Sequence, residues 1–206
     1  MDSKKELQKK IIVTGGGSGG HISTASSIIS AINGKYLLTN NNFLYVGGDL
    51  GMEDEKPGMS LEKKIFSSES FNQKYIRAGK LQRKISFKSI YLLLRTFLAF
   101  FDSFKIVKEF RPDIVISTGG FVTVPVCIMA KLYKAEIYLH EQVAAIILSN
   151  KMISKIAKKI FLTFAVSSKY FPEEKTVHTG NLVRPEIFNK SGKGEIVEAL
   201  KVMMEK

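Results

Sequence analysis

Acidic residues are scarce in this chain: 19 Asp and Glu stand against 31 Lys and Arg, a formal net charge of +12 over 206 residues. Such an imbalance favours an anionic partner, whether nucleic acid, a phosphorylated ligand or an acidic membrane surface, and composition does not choose among them. Cysteine is almost missing. Cys127 stands alone, which excludes an internal disulfide and fits a reducing compartment. The start, Met1 to Lys10, is basic and polar and lacks the apolar stretch of a secretory signal, so a cytoplasmic setting is expected. There is no Asp-x-Asp and no His/Cys cluster, so neither a metal nor another cofactor is expected. The main apolar run, Ile90 to Phe101, carries Arg95 and is too short to cross a bilayer.

What is present is enough for a substantial core. Hydrophobic residues make up 45% and charged residues 24%, ordinary values for a folded domain. Short apolar runs at Ile11–Thr14, Phe43–Val46, Asp113–Ser117, Glu136–His140 and Lys159–Thr163 read as parallel strands buried on both faces. Helical patterns lie between them at His21–Ile32, Lys88–Phe110, Val122–Tyr133 and Ala145–Lys158. Strands alternating with helices predict a doubly wound α/β sheet. Pro112 ends the long helical pattern Lys88–Phe110, and Asp49–Ser60 reads as a surface loop. Residues 1–188 are expected to form one domain, with a polar linker and a short terminal helix over 189–206. His178 falls in a strand-like run and reads as structural.

The positive charge is local. Lys74, Arg77, Lys80, Arg83, Lys84, Lys88, Arg95, Lys105, Lys108 and Arg111 face only Asp102 and Glu109 within that window. Cations flanking an apolar, aromatic helix suit an anionic bilayer surface, although a core helix with a solvated basic face shares the pattern. No nucleic-acid motif accompanies it, so no nucleic-acid partner is expected.

Three clusters carry the chemistry. The first strand runs into Gly15-Gly16-Gly17-Ser18-Gly19-Gly20-His21 and then a helix, a layout whose backbone N–H groups suit a phosphate. The spacing also satisfies G-x-G-x-x-G, but the acid expected about 20 residues on is misplaced, since the second strand leads into Gly47-Gly48-Asp49. No Gly-Lys-Ser/Thr follows, so the loop is not a nucleotide P-loop. The second cluster is Thr118-Gly119-Gly120-Phe121 after the 113–117 strand, and the third is His140-Glu141-Gln142 after the next. Ligands gather at that carboxyl edge of an open α/β sheet, where a carboxylate beside an imidazole suits acid/base work or holding a sugar hydroxyl.

These residues, with Ser149-Asn150-Lys151 and Thr179-Gly180-Asn181-Leu182-Val183-Arg184-Pro185, resemble in order and spacing the signatures of the MurG-type family 28 glycosyltransferases. Ser18 replaces the family's Thr, Phe121 its Tyr and Leu182 its Pro, and Val143 to Leu148 departs from its usual Asn and Pro-Gly. The resemblance implies a Rossmann-like sheet forming the amino-terminal half of a GT-B transferase. It implies inverting transfer of N-acetylglucosamine from UDP-N-acetylglucosamine to an undecaprenyl-diphosphate-linked muramyl pentapeptide in peptidoglycan synthesis, by a peripheral protein on the cytoplasmic face of the plasma membrane. It assigns His21 as catalytic base with Glu141 as catalytic support. Gly16, Gly17, Ser18, Gly19, Gly20, Gly119, Gly120, Phe121, Gln142 and Asn150 become acceptor-binding residues, and Asn181 and Arg184 belong to the donor side or domain junction. After Arg184 no second glycine loop follows, so the UDP-sugar-binding donor domain is expected to be absent from this sequence, which reads equally as a truncated gene, a fragment or one subunit of a split transferase whose donor half is a separate chain. A non-catalytic module that binds lipid precursor or membrane, and a nucleotide-cofactor protein, are the alternatives.

Overall fold

A computed structural model describes residues 4–49, 60–77 and 87–182. In chain order the elements are β1 (Lys5–Glu6), β2 (Ile11–Thr14), α1 (Gly19–Lys35), β3 (Tyr36–Leu37), β4 (Phe43–Gly48), α2 (Leu61–Phe66), β5 (Asn72–Ile76), α3 (Phe87–Phe110), β6 (Ile114–Ser117), α4 (Thr123–Leu132), β7 (Glu136–Glu141), α5 (Leu148–Ile156), β8 (Lys159–Leu162) and β9 (Thr176–His178). Among the described residues β5-β4-β2-β6-β7-β8-β9 form one sheet, every neighbouring pair parallel. The expected doubly wound α/β architecture is present.

Side-chain alternation along each strand divides the interior in two. Ile12, Leu44, Val46, Val115, Ile137, Leu139, Ile160 and Leu162 belong to one core with α3, α4 and α5 residues such as Val107, Val126 and Ile153. Ile11, Val13, Phe43 and Tyr45 belong to the other, with Ile22, Ala25 and Ile29 of α1 and Phe66 of α2. The expectation that all five strands are buried on both faces holds for β2 and β4 only. Strands β6, β7 and β8 alternate in burial, because Ile114, Ile116, Tyr138 and Phe161 line a hollow of about 560 Å³.

Where the sequence signals were strong, the elements follow them. Helix α3 ends at Phe110; Arg111 then takes a left-handed φ of +53° and returns its N–H to Val107 O, and Pro112 blocks continuation. Helix α5 begins at Leu148 instead of Ala145, behind an extended Ile147. The edge strand β5 and the short helix α2 went unpredicted, whereas β9 falls where His178 was read in a strand-like run. Asn-Gln-Lys-Tyr-Ile in β5 is half-buried at the sheet margin and too polar to read as a core strand. The predicted terminal helix, Lys80, Arg83, Lys84 and most of the 49–60 loop lie outside the described residues.

The chain leaves β2 toward β4 on one side and β6 toward β7 on the other, so strand order reverses between β2 and β6. Helix α1 lies on one face and α4 on the other. Loops that part at such a switch point open a ligand crevice.

Candidate functional site

The three motifs converge at that crevice. Registers Thr14↔Ser117 and Ser117↔Leu139 bring the carboxyl ends of β2, β6 and β7 level. The two glycine turns then touch backbone to backbone. A Cβ on Gly120 would lie 2.3 Å from Gly16 O, and one on Gly15 would lie 1.9 Å from Thr118 Oγ1. Gly119 and Gly120 hold φ of +99° and +94°, a region L side chains rarely adopt.

His21, in the first turn of α1, is half-buried and its Nδ1 lies 2.7 Å from Thr118 O. A carbonyl accepts only, so Nδ1 carries the proton and Nε2 of the neutral ring is the free base. Burial holds the imidazole below its ordinary value, Thr118 partly opposing, which keeps that neutral form populated. The Gln142 amide satisfies its surroundings with its oxygen turned to His21, accepting from the backbone N–H at 3.0 Å and from Nδ1–H at 2.8 Å. Its nitrogen then donates to Gly20 O at 3.1 Å and Thr24 Oγ1 at 2.6 Å. Thr118 Oγ1 donates to His21 O, closing the cluster.

The glycine loop divides its N–H groups. Ser18 has the extended backbone of an N-cap, yet its side chain makes no capping bond. Gly17 N–H is engaged by Glu62 Oε1 at 2.9 Å, and His21 N–H by Gln142. Gly19 and Gly20 N–H have no acceptor among the described residues. They sit at the positive end of a 17-residue helix, ready for an anion.

Glu141 is fully buried. Its oxygens accept from Val143 N–H at 3.2 Å and Asn150 Nδ2 at 2.9 Å. Burial raises its pKa, the Asn150, Val143 and Gln142 bonds opposing. These contacts hold the 142–143 turn and Asn150 in place. Asn150 Oδ1 is buried without a partner and lies 2.9 Å from where a Gly119 Cβ would stand, with His21 Cε1 at 2.8 Å from the same point. A buried acceptor without a partner therefore lies beside Gly119 and the imidazole.

Not every expected residue joins. Phe121 is half-buried past Gly120, Asn181 is exposed beyond Gly180, and Arg184 lies outside the described residues. His178 Nε2 lies 3.2 Å from Thr163 O, in keeping with a structural role. Cys127 is fully buried, and burial pushes its thiol up to about 12, far from the thiolate a nucleophile needs. The motif reading missed Thr24, Tyr45 and Glu62. Thr24 had a faint signal, three residues after His21 on the same helix. Tyr45 OH, which donates to Gly15 O at 2.6 Å, had none. The dinucleotide alternative loses its acid: Asp49, just past β4, forms a two-pronged pair with buried Arg95 at 2.5 and 2.6 Å.

His140 makes the site region acid-sensitive. It is buried, its Nδ1 has no partner, and burial pulls its pKa down to about 4, a Gly180 backbone contact opposing. An unfolded histidine takes a proton below about 6.5. Between there and about 4 the unfolded chain therefore binds the extra proton, and stability falls on acidification through that window, by at most ~1.4 kcal/mol per pH unit. His21, also lowered, acts in the same direction, and raised Glu141 opposes it. Urea unfolding at pH 7 and pH 5 should show ~2 kcal/mol less stability at the lower pH. His140→Gln should lose most of that difference; an equal pH slope in both proteins would refute the assignment.

Comparison with known proteins follows the same residues. The family described as "Glycosyltransferase family 28 N-terminal domain" matches residues 11–162. The UDP-N-acetylglucosamine–N-acetylmuramyl-(pentapeptide) pyrophosphoryl-undecaprenol N-acetylglucosamine transferase of Caldicellulosiruptor saccharolyticus is 34% identical over 180 residues, covering 87% of this chain and 46% of that protein. Its Clostridioides difficile counterpart is 36% identical over 181 residues, covering 86% and 42%. The chain thus spans about half the length of the curated relatives it matches. Among solved structures, Acinetobacter baumannii MurG superposes with a TM-score of 0.62 at 20% identity, covering 84% of this chain and 45% of that one. The UDP-GlcNAc 2-epimerase of Neisseria meningitidis does so with 0.59 at 16%, covering 95% and 53%. At those identities the structures show a shared fold alone.

Proposed function

Because the chain belongs to glycosyltransferase family 28 through its amino-terminal domain, we propose that it forms the acceptor-binding half of an N-acetylglucosaminyltransferase. The acceptor is a lipid-linked diphosphate sugar, the undecaprenyl-diphosphate muramyl pentapeptide named in its relatives. The observation that carries this reading is the pairing of an unsatisfied helix N-terminus at Gly19 and Gly20 with a neutral His21, in the same first turn, whose proton is held on Nδ1 and whose Nε2 is free.

In this reading the acceptor diphosphate lies on the Gly19 and Gly20 N–H groups, where the helix dipole favours negative charge. Asn150 Oδ1, beside Gly119, accepts from a sugar hydroxyl. His21 Nε2 takes the proton of the attacking hydroxyl, whose oxygen bonds to the anomeric carbon of N-acetylglucosamine as UDP leaves with the bonding electron pair. Thr118 and Gln142 keep Nδ1–H in place, stabilising the imidazolium that forms. Glu141 orders the 142–143 turn and Asn150 and does not move a proton. The UDP-sugar is held by a second half, on this protein or a separate chain.

The substrate's lipid places the reaction at a membrane. No helix among the described residues is long and apolar enough to cross one. Helix α3 instead exposes an aromatic stripe: Phe97 at 76%, Phe101 at 50% and Phe104 at 38%. Lys105 lies 4.4 Å from the Phe101 ring and Lys108 5.8 Å from that of Phe104. Exposed rings beside cations fit the interface of an anionic leaflet.

The test supplies a UDP-N-acetylglucosamine-binding half to the chain with lipid-linked acceptor in anionic vesicles and follows labelled sugar. Transfer that requires both halves supports the proposal, and no transfer with any such half refutes it. In the same vesicles Phe97→Ser/Phe101→Ser should bind about tenfold more weakly, from the apolar area no longer inserted. Unchanged partitioning would remove α3 from the membrane face.

A further inference from the structure

Glu62 is a buried carboxylate placed in the middle of a loop read as an anion site, and the transfer reaction gives it no task. It lies in the first turn of α2 and is fully buried. Its Oε1 accepts from Gly17 N–H at 2.9 Å, and a Cβ on Gly16 would stand 2.1 Å from that same oxygen. The carboxylate is therefore seated on the bare backbone of two successive glycines, the second held at φ +77°.

A negative group there opposes binding of a negative ligand, so its presence calls for a compensating role. The surroundings supply one. Tyr45 OH grips Gly15 O at 2.6 Å from the strand side while Glu62 grips Gly17 N–H from the helix side, and Gly16 between them packs its carbonyl against Gly120. Helix α2 is itself anchored: Ser60 caps it by accepting from Lys63 N–H, and Phe66 at its far end packs on Tyr45 with ring centroids 4.3 Å apart. A run of glycines has more conformational freedom to lose on ordering than any other sequence. A loop ordered beforehand spares the ligand that cost, and a bond from a backbone N–H to a charged acceptor is stronger than a neutral one.

We propose that Glu62 is a positioning residue of the anion-binding loop: by holding Gly17 N–H it fixes the left-handed turn that aims the Gly19 and Gly20 N–H groups and His21 at the acceptor. This deepens the acceptor-site reading and rests on it. It also removes Gly17 from the ligand's own contacts, leaving Gly19 and Gly20 as the loop's anion donors.

The experiment titrates the isotopically labelled chain with inorganic pyrophosphate and follows the amide signals of Gly17, Gly19 and Gly20, with thermal unfolding recorded for each variant. Glu62→Gln keeps an oxygen that accepts from Gly17 and should bind within about threefold of the original chain. Glu62→Ala, which strands Gly17 N–H, should weaken binding about tenfold. Gly16→Ala should do the same with the carboxylate still present, because its Cβ displaces Glu62; it carries the test if Glu62→Ala does not fold. Equal pyrophosphate affinity in the original chain, Glu62→Ala and Gly16→Ala overturns the proposal, as does Glu62→Gln falling as far as Glu62→Ala. If the original chain binds no pyrophosphate, the diphosphate reading fails separately. Hydrogen exchange at His21 and Ile22, whose N–H groups are bonded within the same turn, then decides for Glu62: faster exchange in Glu62→Ala supports its positioning role, and unchanged exchange overturns it.

Discussion

Replacing His21 by alanine is expected to lower transfer by a completed enzyme by a factor of ~10² to 10⁴, the range a positioned general base contributes. The loss should fall on kcat, because the Gly19 and Gly20 N–H groups that would hold the diphosphate come from the backbone and survive the change. The pH profile offers an independent check. Burial lowers the His21 pKa below its ordinary value near 6.5, and the base works in its neutral form. Activity should therefore rise with pH on the acid side of 6.5 and be level above it, with the rising limb absent from the residual activity of His21→Ala. Gln142→Ala should leave His21 in place but deprive Nδ1–H of one of its two acceptors. A smaller loss, about tenfold, is expected there. Undiminished transfer by His21→Ala would leave the proposed chemistry without its base.

Gly120→Ala is expected to be the most damaging small substitution for the fold around the site. Gly120 holds φ +94°, and its Cβ would stand 2.3 Å from the carbonyl oxygen of Gly16. Both obstacles are backbone, so no side chain can swing aside. Strain in a left-handed position and forced separation of packed backbones each cost about 1 to 3 kcal/mol, and a loss of roughly 2 to 4 kcal/mol in urea unfolding is expected. Acceptor binding should suffer as well, because the second glycine turn carries His21's partner Thr118. Gly34→Ala provides a control of opposite sign: nothing lies within 4 Å of its Cβ, and alanine in a helix should gain up to ~1 kcal/mol over glycine. Equal stability of Gly120→Ala and the original chain would mean that the two turns do not pack as described.

The layered sheet was legible because its signals are local. Runs such as Ile11–Thr14 and Glu136–His140, and the helix stop at Pro112, depend on residues a few positions apart, and β2, β7 and α3 appear where those patterns place them. Elements with weak local signals were lost. Strand β5 reads as polar, and it counts as a strand only because β4 lies beside it. Helix α2 has six residues, too few for a periodic pattern to show. Burial was misjudged for β6 to β8 for a related reason: apolar residues on both faces do not say whether anything covers each face.

The site followed the same division. By itself the sequence determined which residues stand at the carboxyl ends of the strands: the glycine loop with His21, the turn at Gly119 and Gly120, and Glu141 with Gln142. Tertiary structure alone decided what each of them contacts. The contact that fixes the proton on His21 Nδ1 spans 97 residues, the one to Gln142 spans 121, and the one that takes Gly17 N–H to Glu62 spans 45. Nothing in a local pattern foretells such pairs, because they exist only once the sheet register has brought separate strands level. That register is why His21 has one nitrogen free, and why Gly19 and Gly20, but not Gly17, keep N–H groups to offer.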